Sequence, residues 1–182
     1  MKKHLSLLVV CLLLITVVPM TSYAAPSKAE ISFVTLKNDK LGYQLKHPSN
    51  WVVTSVDGSP QSTVVFQAEN GESFSIECNS NSPEEMTIED VLEFSDVMVQ
   101  GMTDAAKKDG LEIAITTEPS LYETENETFV IISGGMYSDK NAFFFDILLL
   151  PSKTTLYSLA FYYLTQEFSD QIKVIADSFT LI

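Results

Sequence analysis

The sequence predicts an α+β fold in which helices flank an antiparallel β-sheet. Short runs with apolar residues at every second position cover most of the chain, and this period is that of a half-buried strand. The pair Asn70-Gly71 joins two such runs, and Asn-Gly is the strongest short-range signal of an antiparallel hairpin. Two longer segments repeat apolar residues at steps of three and four, which predicts amphipathic helices packed on the sheet.

The first part of the chain is predicted to form strands separated by polar turns. In the second strand Tyr43 and Leu45 face the same side, because successive side chains of a strand alternate between its faces. A turn led by Pro48 follows, and Trp51 is expected to open the next strand. The predicted strands are 31–36, 42–47, 51–56, 63–68 and 73–79.

A long amphipathic helix is predicted after the fifth strand. Thr87 is a good N-cap, and Glu89 and Asp90 follow where the helix dipole favours acidic side chains. Lys107-Lys108 and then Gly110 predict the end of the helix. The face expected to be buried consists of Ile88, Val91, Leu92, Ser95, Met98, Val99, Met102 and Ala106.

The second half of the chain is predicted to form further strands and a second helix. Residues 143–150 carry apolar side chains on both faces of their strand, which predicts a central strand covered on both sides. The second helix is expected to bury Phe168, Ile172 and Ile175. The predicted strands are 111–121, 128–137, 141–151 and 154–164, the helix is 166–177, and a short apolar run at 179–182 follows.

Residues 1–24 are predicted to be a secretory signal peptide that is cleaved between Ala24 and Ala25, because a basic start and an apolar run precede small residues. We expect a flexible segment at 25–30 and a single domain at 31–182. The mature protein is therefore expected to be secreted or extracytoplasmic, in the cell envelope. The alternative is an uncleaved anchor, but a spanning helix needs about 20 apolar residues and this run is shorter.

The chain is strongly acidic, with 24 Asp and Glu against 11 basic residues, all of them lysine, and a net charge of −13. Removal of the leader takes away Lys2 and Lys3 and lowers this charge to about −15. A protein with this charge repels phosphate groups, so nucleic-acid binding is excluded as a function class. The mature sequence has no apolar run long enough to span a membrane. Basicity carried by lysine alone is typical of a low-GC bacterium.

The residues around the proline turn resemble those of the PsbP-like family. In that family a strand ends in Tyr-Pro-x-x-Trp; here the segment is His47-Pro48-Ser49-Asn50-Trp51, with His47 where tyrosine is usual. The order of the later elements and the closing pair Ser178-Phe179 are similar as well, and the similarity covers residues 31–182. The resemblance implies an α/β/α sandwich and a protein that binds other proteins without a common catalytic site. Its structural signature here is Tyr43, Pro48, Trp51 and Phe179.

Catalytic motifs are scarce, and we predict that the protein is not an enzyme. The sequence lacks Gly-x-Ser-x-Gly, glycine-rich phosphate loops and Cys-x-x-Cys, and Gly134-Gly135 is expected to mark a strand bend or bulge. His47 is the only histidine after the leader and is expected to be a surface or cap residue. Cys78 is the only cysteine after the leader and is expected to be a small buried residue. We predict no catalytic residue and no cofactor.

Glu123, Glu125 and Glu127 are the weak candidates for a metal site. In an extended segment alternate residues share one face, where calcium could neutralise the repulsion of their charges. The stretch lacks the glycine-containing loop of Asp and Asn residues that calcium sites typically use. A solvated acidic loop is therefore the preferred interpretation, and no metal is predicted.

Aromatic residues crowd the last long strand of the sequence. If the helices cover only part of the sheet, some of these rings form an exposed patch suited to a partner or an apolar peptide. The rings in question are those of Tyr157, Phe161, Tyr162 and Tyr163. Met98 and Met102 of the long helix are instead expected to lie in the core.

Two functions remain after these exclusions. The favoured one is a non-catalytic, exported protein-binding or accessory module of the cell envelope or the extracellular space, whose partner is another protein. The alternative is a small-ligand or calcium-binding accessory protein, or an enzyme that uses carboxylates. The sequence does not identify the partner, the binding surface or the oligomeric state.

Overall fold

The structure is a computed structural model that describes residues 31–57, 61–80, 84–138, 142–164 and 168–182. The predicted signal peptide, its cleavage site at Ala24 and Ala25, and the segment 25–30 lie outside these ranges. Within them the strands are β1 Phe33–Asn38, β2 Tyr43–Pro48, β3 Val52–Asp57, β4 Gln61–Gln67, β5 Ser73–Asn79, β6 Glu112–Glu123, β7 Thr128–Tyr137, β8 Ala142–Ser152, β9 Thr155–Tyr163 and β10 Thr180–Leu181. The helices are α1 Ile88–Lys108 and α2 Phe168–Ser178.

The strands form two sheets, in which every pair of neighbours is antiparallel. A three-stranded sheet has the order β1-β2-β10, and a seven-stranded sheet has the order β3-β4-β5-β9-β8-β7-β6. The C-terminal strand β10 returns to the start of the fold, where Thr180 lies opposite Gln44 of β2. The predicted α+β fold with an antiparallel sheet and flanking helices is confirmed.

Helix α1 begins with a complete capping box, and Thr87 is its N-cap as the sequence predicted. Its side-chain oxygen accepts a hydrogen bond from the Asp90 amide at 3.2 Å, and Asp90 Oδ2 accepts one from the Thr87 amide at 2.8 Å. The Thr87 amide and hydroxyl both donate to the Asp90 carboxylate, and these two bonds lower the pKa of Asp90. Gly110, with φ of 73°, follows the helix in the left-handed region. The buried residues of α1 are Val91, Ser95, Met98, Met102 and Ala106, which confirms the predicted face.

Each face of the seven-stranded sheet carries its own core cluster. On one face Ile132 of β7 and Phe145 of β8 pack in the cluster that contains Met98 of α1. On the opposite face Phe74 of β5 packs in the cluster that contains Tyr43 of the small sheet. The central strands β8 and β9 therefore contribute buried side chains to both faces, as the apolar pattern of 143–150 predicted.

The two covering layers lie over different parts of the sheet. Helix α1 contacts β6, β7 and β8, whereas the small sheet and α2 pack over a cluster centred on β4, β5 and β9. Among the described residues, this offset leaves two regions without a covering layer. One is the α1 side of β3, β4 and β5, and the other lies on the opposite face, at the ends of β7, β8 and β9.

Gly134 and Gly135 lie within β7, opposite an irregularity in the neighbouring strand. The register of β6 shifts between Ile115 and Thr117, so the predicted bulge is in the partner strand rather than at the glycines themselves. A Cβ on Gly134 would come within 2.6 Å of Phe145 Cζ and 2.8 Å of a backbone oxygen of β6. Glycine is required there because two strands and a ring approach one another closely.

The boundaries of the strands and of α2 agree with the predicted ones within two residues. Trp51 lies just before β3 rather than in it. In α2 the buried side chains include Ile172 and Ile175, as predicted, while the Phe168 side chain lies outside the described part. Neither of the helices described here has the length and apolar character needed to cross a membrane.

Candidate functional site

A row of partly exposed aromatic side chains crosses one end of the seven-stranded sheet. Phe144 of β8 lies opposite Tyr163 of β9, and the two rings stack with their centroids 5.9 Å apart. On its other side Phe144 lies opposite Gly135 of β7. The Tyr137 ring folds back over this glycine, where an added Cβ would lie 2.5 Å from the tyrosine hydroxyl. We name the group formed by Ser133, Tyr137, Phe144, Asp146 and Tyr163 the aromatic shelf.

Asp146 lies two residues after Phe144, on the same face of β8, and accepts hydrogen bonds from Ser133 and Tyr163. Its Oδ1 accepts a hydrogen bond from the Ser133 hydroxyl at 2.5 Å, and its Oδ2 accepts one from the Tyr163 hydroxyl at 3.0 Å. Further along β8 the same face carries Leu148 and Leu150, both buried. A carboxylate thus lies between Phe144 and two buried leucines on one face of β8.

No lysine in the part of the chain that the structure describes pairs with Asp146. The ion pairs found there join Lys37 to Asp39 and Lys173 to Asp177. An ionised carboxylate offers about four acceptor sites, and the two hydrogen bonds from neutral hydroxyls use about half of them. Asp146, which is half-buried, therefore keeps acceptor capacity for a further donor.

The shelf combines this carboxylate with exposed ring surface. Tyr137 is 36% exposed and Phe144 is 38% exposed. Burial raises the pKa of Tyr163, and the charge of Asp146 and the hydrogen bond to it raise the pKa further. The Tyr163 hydroxyl therefore stays protonated and donates to Asp146 at neutral pH. Such a site attracts a cation, because the carboxylate and the ring faces both favour positive charge.

Sequence reasoning located one residue of this shelf and missed the others. Of the aromatic residues singled out on the last strand, Tyr157 and Phe161 are buried in the core, and Tyr162 points to the opposite face beside Phe143. Only Tyr163 belongs to the shelf. The signal that could have found the rest is Asp146, which interrupts the apolar pattern of a strand predicted to be covered on both faces.

The signature residues of the resemblance all lie in the core. Tyr43 stacks on Phe179 with ring centroids 5.5 Å apart, and Tyr157 meets the Phe179 ring edge-on at 6.0 Å. With Phe129, 6.0 Å from Phe179, these residues form what we name the buried aromatic cluster. Pro48 is buried at the end of β2, and Trp51 is 8% exposed and packs against Phe74. These positions hold the small sheet and α2 against the large sheet.

The prediction that His47 is a surface or cap residue is wrong. His47 is 6% exposed, its ring lies 5.0 Å from that of Phe66, and its Nδ1 is 2.9 Å from the Pro48 carbonyl oxygen. It lies on the buried side of β2 because Tyr43, Leu45 and His47 alternate along the strand. Cys78 is buried, as predicted, and burial raises the pKa of its thiol to about 12.

The acidic connection between β6 and β7 forms a tight turn instead of an extended segment. Glu123 ends β6, and the Thr124 amide donates to the Glu127 carbonyl at 2.9 Å. Glu127 Oε1 accepts a hydrogen bond from the Leu181 amide, which ties the turn to β10. Glu125 instead borders a polar cleft beside α2. Across the described ranges no group of three or more His, Cys, Asp and Glu side chains could hold a metal.

Comparisons with known proteins agree with this architecture. No protein-family profile matches the chain, and no curated protein matches it in sequence. Among solved structures, cyanobacterial PsbP from Synechocystis sp. PCC 6803 is similar with a TM-score of 0.65 and 15% identity, over 88% of this chain and 98% of that one. A protein from Bacteroides thetaiotaomicron VPI-5482 is similar with a TM-score of 0.55 and 9% identity, over 81% of this chain and 48% of that one. LpqN of Mycobacterium tuberculosis, described as involved in cell envelope biogenesis, gives a TM-score of 0.46 at 14% identity, over 84% and 92%.

The chain therefore has an α+β sandwich of the PsbP-like kind, as the resemblance in the sequence implied. At this level of identity the similarity concerns the fold alone. A functional site therefore depends on the side chains particular to this protein, and the aromatic shelf is the strongest candidate that they form.

Proposed function

We propose that the protein is a non-catalytic accessory module that acts outside the cytoplasm by binding another protein. The observation that carries this proposal is the aromatic shelf, where partly exposed rings share one face of the sheet with a half-buried carboxylate. Aromatic side chains gain binding energy through their large apolar area, and they are enriched among the residues that dominate protein interfaces. The predicted signal peptide at 1–24 supports an extracytoplasmic location, and we propose a single domain at 31–182.

The reactive side chains support a non-catalytic role. Burial raises the pKa of the Cys78 thiol to about 12, so this residue is not a thiolate nucleophile at neutral pH. His47 is enclosed between β2 and the Phe66 ring, away from the shelf. The PsbP-like resemblance implies proteins that mostly bind other proteins, which is consistent with a surface built for contact.

The calcium-binding alternative has less support from the geometry. Glu127 already accepts a hydrogen bond from the backbone of β10, and Asn126 donates its side-chain amide to the Asp177 carbonyl oxygen at 2.8 Å. These bonds use groups of the turn to fasten it to the C-terminal elements. The acidic turn is thus better explained as a structural connection than as a metal loop.

Crosslinking in intact cells tests the proposal. The exported protein is crosslinked to its neighbours and recovered as the wild type, as Phe144→Ala and as Val97→Ala. Val97 is 56% exposed on α1, which covers the opposite face of the sheet, so its variant is a matched control. We expect one protein to be recovered with the wild type and the control, and several-fold less of it with Phe144→Ala. Equal recovery with all three, or recovery of no protein, would contradict the proposal.

A further inference from the structure

Asp146 is an acidic residue with no positively charged partner in the part of the chain that the structure describes. It lies in a central strand beside buried leucines, and its hydrogen-bond donors are the neutral hydroxyls of Ser133 and Tyr163. Removing part of the water around a carboxylate costs free energy that a positive partner would offset. No such partner is present among the described residues, so the positive charge has to come from outside this part of the fold.

The rings around Asp146 specify which cation fits. Phe144 shares the face of β8 that carries Asp146, and the Tyr137 ring covers Gly135 opposite Phe144. Both residues are more than a third exposed, and a cation above a ring face is attracted by its quadrupole. A guanidinium is planar, stacks on aromatic rings and donates two parallel hydrogen bonds to a carboxylate. An ammonium is a strongly hydrated point charge that gains less from stacking. The shelf therefore favours arginine over lysine.

The composition of the chain indicates which molecule can supply an arginine to the shelf. The protein has no arginine, so a second copy of this chain cannot supply one. Its net charge of −13 attracts a basic surface and repels an acidic one. The occupant is consequently a different protein with an exposed arginine in a basic region.

We propose that the aromatic shelf binds an arginine side chain of a partner protein, with the guanidinium paired to Asp146 and stacked on Phe144. This inference rests on the proposed protein-binding function and names the group that is recognised. Asp146 supplies the charge and the acceptor oxygens, while Phe144 and Tyr137 supply the ring faces.

A titration followed by NMR tests the recognition of the cation directly. The probes are N-acetyl-arginine amide, the lysine analogue, and the citrulline analogue, which has the shape of arginine without its charge. For the arginine probe we expect saturable shifts at Ser133, Phe144, Asp146 and Tyr163, with a dissociation constant on the order of millimolar. Binding of the lysine probe should be weaker, and the citrulline probe should leave these signals unchanged.

Asp146→Asn is the decisive variant because it removes the charge and keeps the shape. The asparagine amide can still accept from Tyr163 and donate to Ser133, so a purely structural role would be preserved. We expect roughly tenfold weaker binding of the arginine probe, as for the loss of a charge-assisted hydrogen bond. Asp96→Asn, on the exposed side of α1, makes the same chemical change on the other face of the sheet and should leave the affinity unchanged.

Several results would overturn the inference. These are the absence of shifts at the shelf, equal shifts with the citrulline probe, or equal affinity in Asp146→Asn and the wild type. Tighter binding of free spermidine than of the arginine probe would assign the shelf to a small polyamine instead of a protein. If crosslinking recovers a partner equally with Asp146→Asn and the wild type but not with Phe144→Ala, only this inference fails. If no partner is recovered at all, the proposed function fails.

Discussion

Two groups of aromatic side chains lie on the same face of the seven-stranded sheet but differ in what covers them. The buried aromatic cluster is closed by the small sheet and α2, and Tyr43 and Phe179 in it are both 0% exposed. The aromatic shelf, on the same face, has no such cover among the described residues, and Tyr137 and Phe144 are more than a third exposed. The kind of ring is the same in both groups. The position of the covering layer decides whether the rings stabilise the fold or face a partner.

The two groups also differ in the charge that they contain. In the buried aromatic cluster the Tyr157 hydroxyl donates to the Leu41 carbonyl oxygen at 2.9 Å, so this polar atom is bonded within the chain. In the aromatic shelf Asp146 brings a full charge that two neutral hydroxyls only partly satisfy. The Tyr43 hydroxyl in the buried aromatic cluster is enclosed without a hydrogen-bond partner among the described residues, but it is neutral, whereas the polar group at the centre of the aromatic shelf is a carboxylate.

Truncating one ring in each group gives the largest expected contrast. Phe179→Ala removes a fully buried ring that contacts Tyr43, Phe129 and Tyr157, and we expect it to lower the free energy of unfolding by about 3 to 5 kcal/mol. Phe144→Ala removes a ring that is 38% exposed and should cost less than about 1 kcal/mol. Urea denaturation measures both values. Equal costs would show that the shelf belongs to the core and would break the comparison.

Trp51 and its neighbour Val52 allow the same comparison of a buried with an exposed side chain near β3. Trp51 is 8% exposed and its ring lies 5.7 Å from that of Phe74, so we expect Trp51→Ala to cost about 3 kcal/mol, at the lower end of the range for buried aromatic residues. Its neighbour Val52 is 65% exposed, and Val52→Ala should cost less than about 1 kcal/mol. Thermal unfolding followed by circular dichroism distinguishes the two variants. A near-neutral Trp51→Ala would remove Trp51 from the core.

The elements that the sequence predicted well are those set by local chemistry. Helix α1 depends on the capping box at Thr87 and on one apolar face, and both are read from residues close together in the chain. The hairpin of β4 and β5 depends on the turn that includes Asn70-Gly71 and on alternation within each strand. The burial of Met98 and of Cys78 follows from the same short-range patterns.

The features that the sequence did not predict depend on contacts between distant segments. The apolar run at 179–182 was recognised, but its pairing with β2 joins the two ends of the fold, and no local pattern encodes it. His47 is buried because β4 brings Phe66 beneath it. The shelf is partly exposed because the small sheet and α2 pack over another part of the same face. Such coverage is a property of the assembled layers, whereas alternation within β8 indicates only which side chains share a face.

The adjacent glycines of β7, Gly134 and Gly135, allow the packed face and the shelf face of the sheet to be compared within one strand. Gly134 faces the α1 side, where an added Cβ would lie 2.6 Å from Phe145 Cζ and 2.8 Å from the Ala114 backbone oxygen. Gly134→Ala should cost about 1 to 3 kcal/mol because this packed region cannot move aside. Gly135 faces the shelf, where the nearest atom is the hydroxyl end of the Tyr137 ring, and that ring can rotate away.

Gly135→Ala should therefore have a much smaller effect on stability. The displacement of Tyr137 is partly offset by the lower entropy of the unfolded chain, which stabilises Gly→Ala variants by about 0.4 to 1 kcal/mol. Urea denaturation of both variants gives the difference, and a larger cost for Gly135→Ala than for Gly134→Ala would contradict the assignment of the two faces.

The smallest expected effect concerns the charge of Asp146 and the ionisation of Tyr163. Burial, then the Asp146 charge, raises the pKa of Tyr163, so Asp146→Asn should lower this pKa while leaving it above the ordinary value of 10.0. A raised pKa in the folded state stabilises the protein below pH 10, and this contribution is lost as the pH rises, because the unfolded chain ionises first. The alkaline loss of stability should thus be slightly smaller in Asp146→Asn than in the control Asp96→Asn. NMR of ring-labelled tyrosine reports the pKa of Tyr163. The same value in both variants would mean that the Asp146 charge does not act on the Tyr163 hydroxyl in solution.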